Sequence, residues 1–306
     1  MKVSTAFFYE RATSQVTAAQ TRLVDTQAQL ASGKKLLNPS DQPDQALLIG
    51  LVRSTIERQE GLTDQLTLVD TRLRAEEVAL QSVSRILVRF KELALKSNDD
   101  TINADDRQSL VKEMQVLREQ LLALANSQDD QGQRLFGGAS VEDLPFVEGA
   151  DGRVRYVGDQ TASYAVSDGR RLLDFNRAGS EAFPRLIRTV EGVAQGVGFF
   201  DALDDLIAGT TASDRTAMTL GLKEAQDLID ANSVALVQNG ADQNAIETQL
   251  SVIEESALRL RTTLSDLEDL DYAEAISRMN QQKMSLEAAL GSFAQVAQLS
   301  LFKYLD

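Results

Sequence analysis

The chain has 306 residues, is 43% hydrophobic but only 5% aromatic, and carries a net charge of −15. It is long enough for a sizeable core and two domains, and too apolar for wholesale disorder. It contains no Cys and no His, which excludes disulfides, thiol catalysis, a Ser–His–Asp triad and zinc sites built on His or Cys. The acidity argues against nucleic acid or an anionic membrane surface as partner, since phosphate contacts need clustered Lys and Arg. The start, Met1 to Glu10, lacks the apolar run of a secretory signal, and no stretch of about 18 apolar residues exists, so no membrane insertion is expected. On these grounds the chain is cytoplasmic, or leaves the cell without a cleaved signal.

In chain order, the first predicted helix covers about Thr5 to Ser32. Tyr9, Val16, Leu23, Leu30 and Leu37 recur every seven residues, with Ala12, Ala19 and Thr26 at the companion positions. Small companions permit close helix approach. One large apolar residue per heptad does not hold a helix alone in water, so this helix needs partners. Gly33 ends it, and Lys34 and Lys35 suit the negative end of its dipole. Asn38-Pro39 and Gln42-Pro43 are turn signals, with Asp41 expected to cap the next helix.

A long second helix, about Asp44 to Ser97, carries Leu62, Leu66, Val69, Leu73, Leu80, Val83, Leu87, Phe90 and Ala94 at 4-3 spacing, interrupted at Glu76. Asn103 to Asp106 supply capping residues for a third helix. It runs to about Asn126, with Leu110, Met114, Leu117, Leu121 and Leu124 in the same rhythm. The short polar loop between the two predicts an antiparallel hairpin. From residue 130 to 198 the pattern changes. Val154–Val157 and Ser163–Val166 alternate as strands do, and Asp151-Gly152 and Asp168-Gly169 are hairpin turns.

Helix returns near Phe199–Leu206 and again from about Ser213 to Leu270, with a possible break at Asn239-Gly240. Ile246, Ile253, Leu260 and Leu267 recur every seven residues. The last segment places Ile276, Met279, Leu286, Leu290, Phe293 and Ala297 at 3-4 spacing, with Lys283 as the exception. The fold class expected is mainly α: a long coiled-coil helical rod built from both chain ends, with a small β-rich central domain. The terminal seams must meet to be buried. Charge agrees, with five basic against three acidic residues in 1–42 and three against five in 269–306.

Two runs carry a resemblance. Leu30-Ala-Ser-Gly33-Lys34-Lys35-Leu-Leu-Asn38-Pro39-Ser40-Asp41, followed by Pro43, is similar to the N-terminal signature of the flagellin family, with Gln42 where a second Asp is usual. Leu267-Glu-Asp-Leu-Asp271-Tyr272-Ala273 is similar to its C-terminal signature, and Ser285 to Tyr304 resembles its closing helix. Three details resemble the hook-associated members of that family: Asn38 to Asp41, Arg134-Leu-Phe-Gly-Gly138 with Pro145-Phe146, and the ending Leu299 to Leu305.

The resemblance implies a division into 1–42 and 269–306 as a terminal inner coiled-coil layer, 43–129 and 199–268 as a helical rod, and 130–198 as an outer β-rich domain. It implies a non-enzymatic structural adapter of the bacterial flagellum, at the hook–filament junction, with no cofactor. It implies a ring of copies of the chain, flagellin, another hook-associated protein and a cytoplasmic export chaperone as partners, and flagellar type III export to the cell exterior. A minor flagellin within the filament is the alternative. A cytoplasmic coiled-coil scaffold explains the heptads but not the paired end motifs.

The terminal seams, lacking partners enough within one chain, are expected to be the assembly interface: Tyr9, Val16, Leu23, Leu30, Ile276, Met279, Leu286, Leu290, Phe293 and Ala297. In the free monomer residues 1–40 and 270–306 are then loose. The pairs Asp99-Asp100, Asp105-Asp106, Asp129-Asp130 and Asp204-Asp205 lack the spacing of a calcium loop and are expected to be caps and solvated faces. Gly137-Gly138 belongs to no phosphate-binding pattern and is expected to be a turn.

Overall fold

The computed structural model describes residues 2–99, 101–140, 142–160, 163–167, 171–190 and 193–302. The helices are α1 (Lys2–Ser32), α2 (Pro43–Ser97), α3 (Ala104–Ala125), α4 (Gly179–Ala182), α5 (Phe199–Ala212), α6 (Arg215–Glu268) and α7 (Tyr272–Phe302). The strands are β1 (Phe146–Glu148), β2 (Val154–Tyr156), β3 (Ser163–Ser167), β4 (Arg171–Asn176), β5 (Leu186–Val190) and β6 (Val193–Val197). They pair consecutively into three antiparallel two-stranded ribbons. The fold is thus mainly α with a small β-rich centre. The chain divides into two compact units, one of residues 1–60 with 254–306 and one of residues 61–253.

The second unit holds the larger core. The heptad positions of α2 are buried as the spacing predicts, with Leu66, Leu80, Val83, Leu87, Phe90 and Ala94 fully inaccessible. Each such leucine contributes about 1.5–3 kcal/mol by leaving water. Near Leu66, Val69 and Leu73 the partner residues are Ile246 and Ile253 of α6. The α2–α3 hairpin forms as expected. Asn103 caps α3 by accepting from the Asp106 amide at 2.8 Å, and Arg89 of α2 bonds Glu113 of α3. Phe136, Phe146, Phe183, Phe199 and Phe200 interlock, mostly edge-to-face at 5.1–5.7 Å, joining α5 to the β-rich segment. Edge-to-face contact sets ring rims against neighbouring faces.

Four differences from the sequence reading stand out in this unit. Helix α6 runs unbroken through Asn239-Gly240. The Asn239 side chain is buried and donates to the Leu73 carbonyl at 3.1 Å, so tertiary bonding outweighs the helix-breaking preference of the pair. Glu76 does not interrupt the α2 seam but occupies it, buried and bonded to Arg177 at 2.6 Å. The ribbon β5–β6 has no counterpart among the predicted strands. Its Val193-Ala-Gln-Gly-Val197 strand is almost entirely exposed, and the alternation that marks a half-buried strand is absent. Lastly, the acidic pairs do more than cap or solvate. Asp129 bonds Arg72 at 2.8 Å, Asp204 bonds Arg118 at 2.9 Å and Asp205 bonds Arg188 at 2.7 Å, while Asp99 binds Thr101 as a turn.

The Asp151-Gly152 turn joins β1 to β2, with Gly152 at φ +71° and its amide on the Gly149 carbonyl. Strands β3 and β4 pair antiparallel. The Asp168-Gly169 turn between them lies outside the described residues, as does Asp100.

Candidate assembly interface

Helices α1 and α7 both belong to the first unit and pack side by side, with Cα atoms within 8 Å of each other. On α1 the inward positions are Tyr9, Ala12, Val16, Ala19, Leu23, Thr26 and Leu30, each less accessible than its neighbours along most of the helix. This is the seam the heptads predict, and its small residues account for the close approach. Tyr9 and Phe293 meet edge-to-face at 5.8 Å.

The seam of α7 differs. The residues turned from solvent are Ala275, Met279, Gln282, Leu286, Ala289 and Phe293. Ile276 and Leu290 are 47% and 45% exposed, and Lys283 is exposed beside the seam rather than interrupting it. The reason is the same close approach: backbones this near leave room for alanine at 275 and 289, so the larger neighbours lie on the flank. Tyr272, 53% exposed, lies one turn before Ile276, so the described flank presents three large side chains with about half of their surface uncovered. Ala297 lies in α7, but its side chain is outside the described ones.

The two signature runs meet at the base of this pair. Gly33 closes α1 in the left-handed region, φ +70°, with its amide on the Gln29 carbonyl at 2.8 Å. A Cβ there would stand 2.8 Å from the Tyr272 hydroxyl, so both φ and the approach of the C-terminal signature require glycine. The chain then bridges to the end of α6: the Leu270 amide donates to the Gly33 carbonyl at 2.9 Å and the Lys35 amide to the Glu268 carbonyl at 2.8 Å.

The lysines act across this bridge rather than on their own helix. Lys35 Nζ donates to the Asp266 carbonyl at 2.7 Å, satisfying the carboxyl end of α6. Lys34 Nζ pairs with Glu268, which also receives Arg53 Nη2 at 2.5 Å. Lys34 and then Arg53 hold the Glu268 carboxyl below the usual carboxylate range, against the opposing effect of burial. Gln45 Nε2 completes the join on the Leu267 carbonyl at 3.0 Å.

Asp271 is the amino-terminal cap of α7, its Oδ1 accepting from the Ala273 amide at 2.9 Å and the Glu274 amide at 3.1 Å. Asp271 with Glu274 three residues on is the sequence pattern of a capping box. Asp41 does not cap α2. That helix starts at Pro43, and the Asp41 carboxylate instead accepts from Asn38 Nδ2 at 3.4 Å. Pro39, Ser40 and Pro43 are exposed. Glu268, Arg53 and Gln45 were not singled out from the sequence. The signal that could have found them is the basic pair Lys34-Lys35 in one signature run against Glu268-Asp269 in the other. No metal-binding group of three or more acidic side chains occurs among the described residues, and no described helix is long and apolar enough to cross a membrane.

Comparison with known proteins agrees with this geometry. Residues 3–140 match the family model for the bacterial flagellin N-terminal helical region, and residues 220–305 match that for the C-terminal helical region. The chain is 28% identical over 317 residues to flagellar hook-associated protein 3 of Escherichia coli K12 and 26% identical to that of Salmonella typhimurium LT2, with 99% of each chain covered in both cases. The crystal structure of flagellar hook-associated protein 3 from Legionella pneumophila superimposes with a TM-score of 0.65 at 17% identity, covering 72% of this chain and 98% of that one, which shows a shared fold. The two family models cover both helical ends whose signature runs pair at Gly33 and Leu270, and the chain belongs to the flagellin family, a structural and not an enzymatic one, with hook-associated protein 3 among its relatives.

Proposed function

We propose that this chain is the junction subunit between hook and filament of the bacterial flagellum, and that it assembles through the flank of the α1–α7 pair. The end-to-end likeness to two hook-associated proteins 3 supports the junction reading. The single observation that carries the mechanism is the flank itself. Ile276 and Leu290 stay half-exposed beside a seam that is already closed. Apolar surface of this kind gains about 25 cal/mol per Å² when a neighbour covers it.

In this reading segments 1–42 and 269–306 form the inner layer of a ring of copies, residues 43–129 with 199–268 form a helical rod, and residues 130–198 face outward. Tyr9, Val16, Leu23, Leu30, Met279, Leu286, Phe293 and Ala297 build the helix pair, while Ile276 and Leu290 meet the next copy. One face of the ring contacts another hook-associated protein and the other contacts flagellin. The subunit reaches that place through the flagellar export apparatus without a cleaved signal, escorted by a cytoplasmic chaperone. The termini of the free subunit order on assembly, so limited proteolysis should trim them in the monomer and spare them in the assembly.

The test is the pair Ile276→Asp and Leu290→Asp. Both side chains are half-exposed, so the helix pair should survive the change, and Val116→Asp on α3, at a comparably exposed site, controls for added charge. Cells carrying the double variant should make hooks without attached filaments, while Val116→Asp cells swim. Normal filament attachment in the double variant would overturn the interface assignment.

A further inference from the structure

Within the unit of residues 61–253, the seam of α2 is close to a leucine repeat: Leu66, Leu73, Leu80 and Leu87 recur every seven residues, with Val69, Val83 and Phe90 between them. All are buried. Such a surface is self-complementary and cannot by itself distinguish its proper partner, α6, from the same seam on a second copy. One described position breaks the repeat. Glu76, 2% exposed, stands where an apolar residue belongs.

Arg177 is the principal partner of its carboxylate, with smaller contributions from Arg72 and Asn239. Arg177, just before α4, donates from Nε to Glu76 at 2.6 Å and from Nη2 to Asp242 of α6 at 3.3 Å, so a single guanidinium ties α2 to α6. Next to it, Asn239 donates to the Leu73 carbonyl at 3.1 Å and Gln243 to Glu77 at 2.9 Å. The site is not optimised for stability. Burial pushes the Glu76 carboxyl up despite Arg177, and one heptad away the buried Asn232 Oδ1 has no partner. A buried charge in a seam that an aliphatic residue would fill better is retained where it selects a partner or register.

We infer that Glu76, through Arg177, is a pairing-specificity residue: it admits the α2–α6 pairing within one chain and excludes pairing of the leucine seam with a second copy. Two α2 seams brought together, or α6 displaced by a heptad, would bury Glu76 away from Arg177 and Asn239. The pin works on the pathway to the folded subunit and is independent of where that subunit ends up.

The absence of cysteine makes the test direct. Glu77→Cys with Gln243→Cys places two thiols at a pair that touches only in the correct register. This reporter chain is unfolded in urea and refolded under oxidising conditions at low and high protein concentration, with and without Glu76→Leu and Arg177→Met. That double change removes both charges together and leaves no buried ion unpaired, while Asp242 keeps Gln238. The reporter alone should give an internally linked monomer at both concentrations. The variant should fold with equal or greater resistance to urea, yet give linked dimers whose share rises with concentration. An internally linked monomer as the sole product in both backgrounds would overturn the inference and leave Glu76 as a mere anchor for the β-rich segment. If the double variant fails to fold, Glu76→Gln with Arg177→Met decides the matter by the same readout: dimers support the pin, and monomer alone refutes it.

Discussion

Replacing Gly33 by alanine probes the join between the two signature runs most sharply. Alanine at φ +70° pays about 1–2 kcal/mol for the left-handed region. Its Cβ also falls 2.8 Å from the Tyr272 hydroxyl, a contact that has to open by some tenths of an ångström. Tyr272 is half-exposed and can swing away, so the second cost is smaller than the first. The bonds that break are local: Lys35 amide to Glu268 carbonyl and Leu270 amide to Gly33 carbonyl. Hydrogen exchange of these two amides in the assembled form, where the termini are ordered, is therefore the assay. A loss of one to two kcal/mol should speed their exchange about 5–30-fold, with the amides of α3 unchanged. Tyr272→Phe removes the hydroxyl and leaves the ring carbon Cζ at 3.8 Å from the same Cβ position. In that background Gly33→Ala should cost less than in the parent. Equal cost in the two backgrounds would refute the close-approach argument, and unchanged exchange in both would refute the backbone argument as well.

Two further outcomes follow from the same region. Asp271→Ala removes the cap of α7 and should lower the stability of the assembled form by about 0.5–2 kcal/mol, with Asp271→Asn recovering most of the loss; helix content of the assembly followed through increasing urea checks it. Glu268→Gln should destabilise the first unit at neutral pH. Because Lys34 and Arg53 depress the Glu268 carboxyl on folding, its contribution is present above the ordinary glutamate value of about 4.3 and is lost as pH falls through the folded value. Parent and variant melting temperatures should therefore differ at pH 7 and converge in acid. A difference that persisted or grew in acid would contradict the ion cluster.

The heptads make much of this fold legible in the sequence. Tyr9, Val16, Leu23 and Leu30 line the α1 seam where the spacing puts them, and Leu66 to Ala94 fill the α2 seam, because a seven-residue period leaves one face to bury. In α7 the same reasoning chose Ile276 and Leu290, since it ranks residues by apolarity. The close helix pair is governed by volume instead, and takes Ala275 and Ala289. Lys34, Lys35 and Asp41 were assigned to their nearest helix ends, although their partners are Glu268, the Asp266 carbonyl and Asn38. Two of these three partners are more than two hundred residues away in sequence, beyond the reach of any local rule. Glu76 was legible only as an irregularity, because its meaning depends on Arg177, contributed by a segment with no helical period.

Antibody labelling of intact flagella, viewed by electron microscopy, separates a junction subunit from a filament subunit. A junction subunit gives a narrow band of label where hook meets filament, and that is the expected result. Label along the whole filament would contradict it and make the chain a filament subunit.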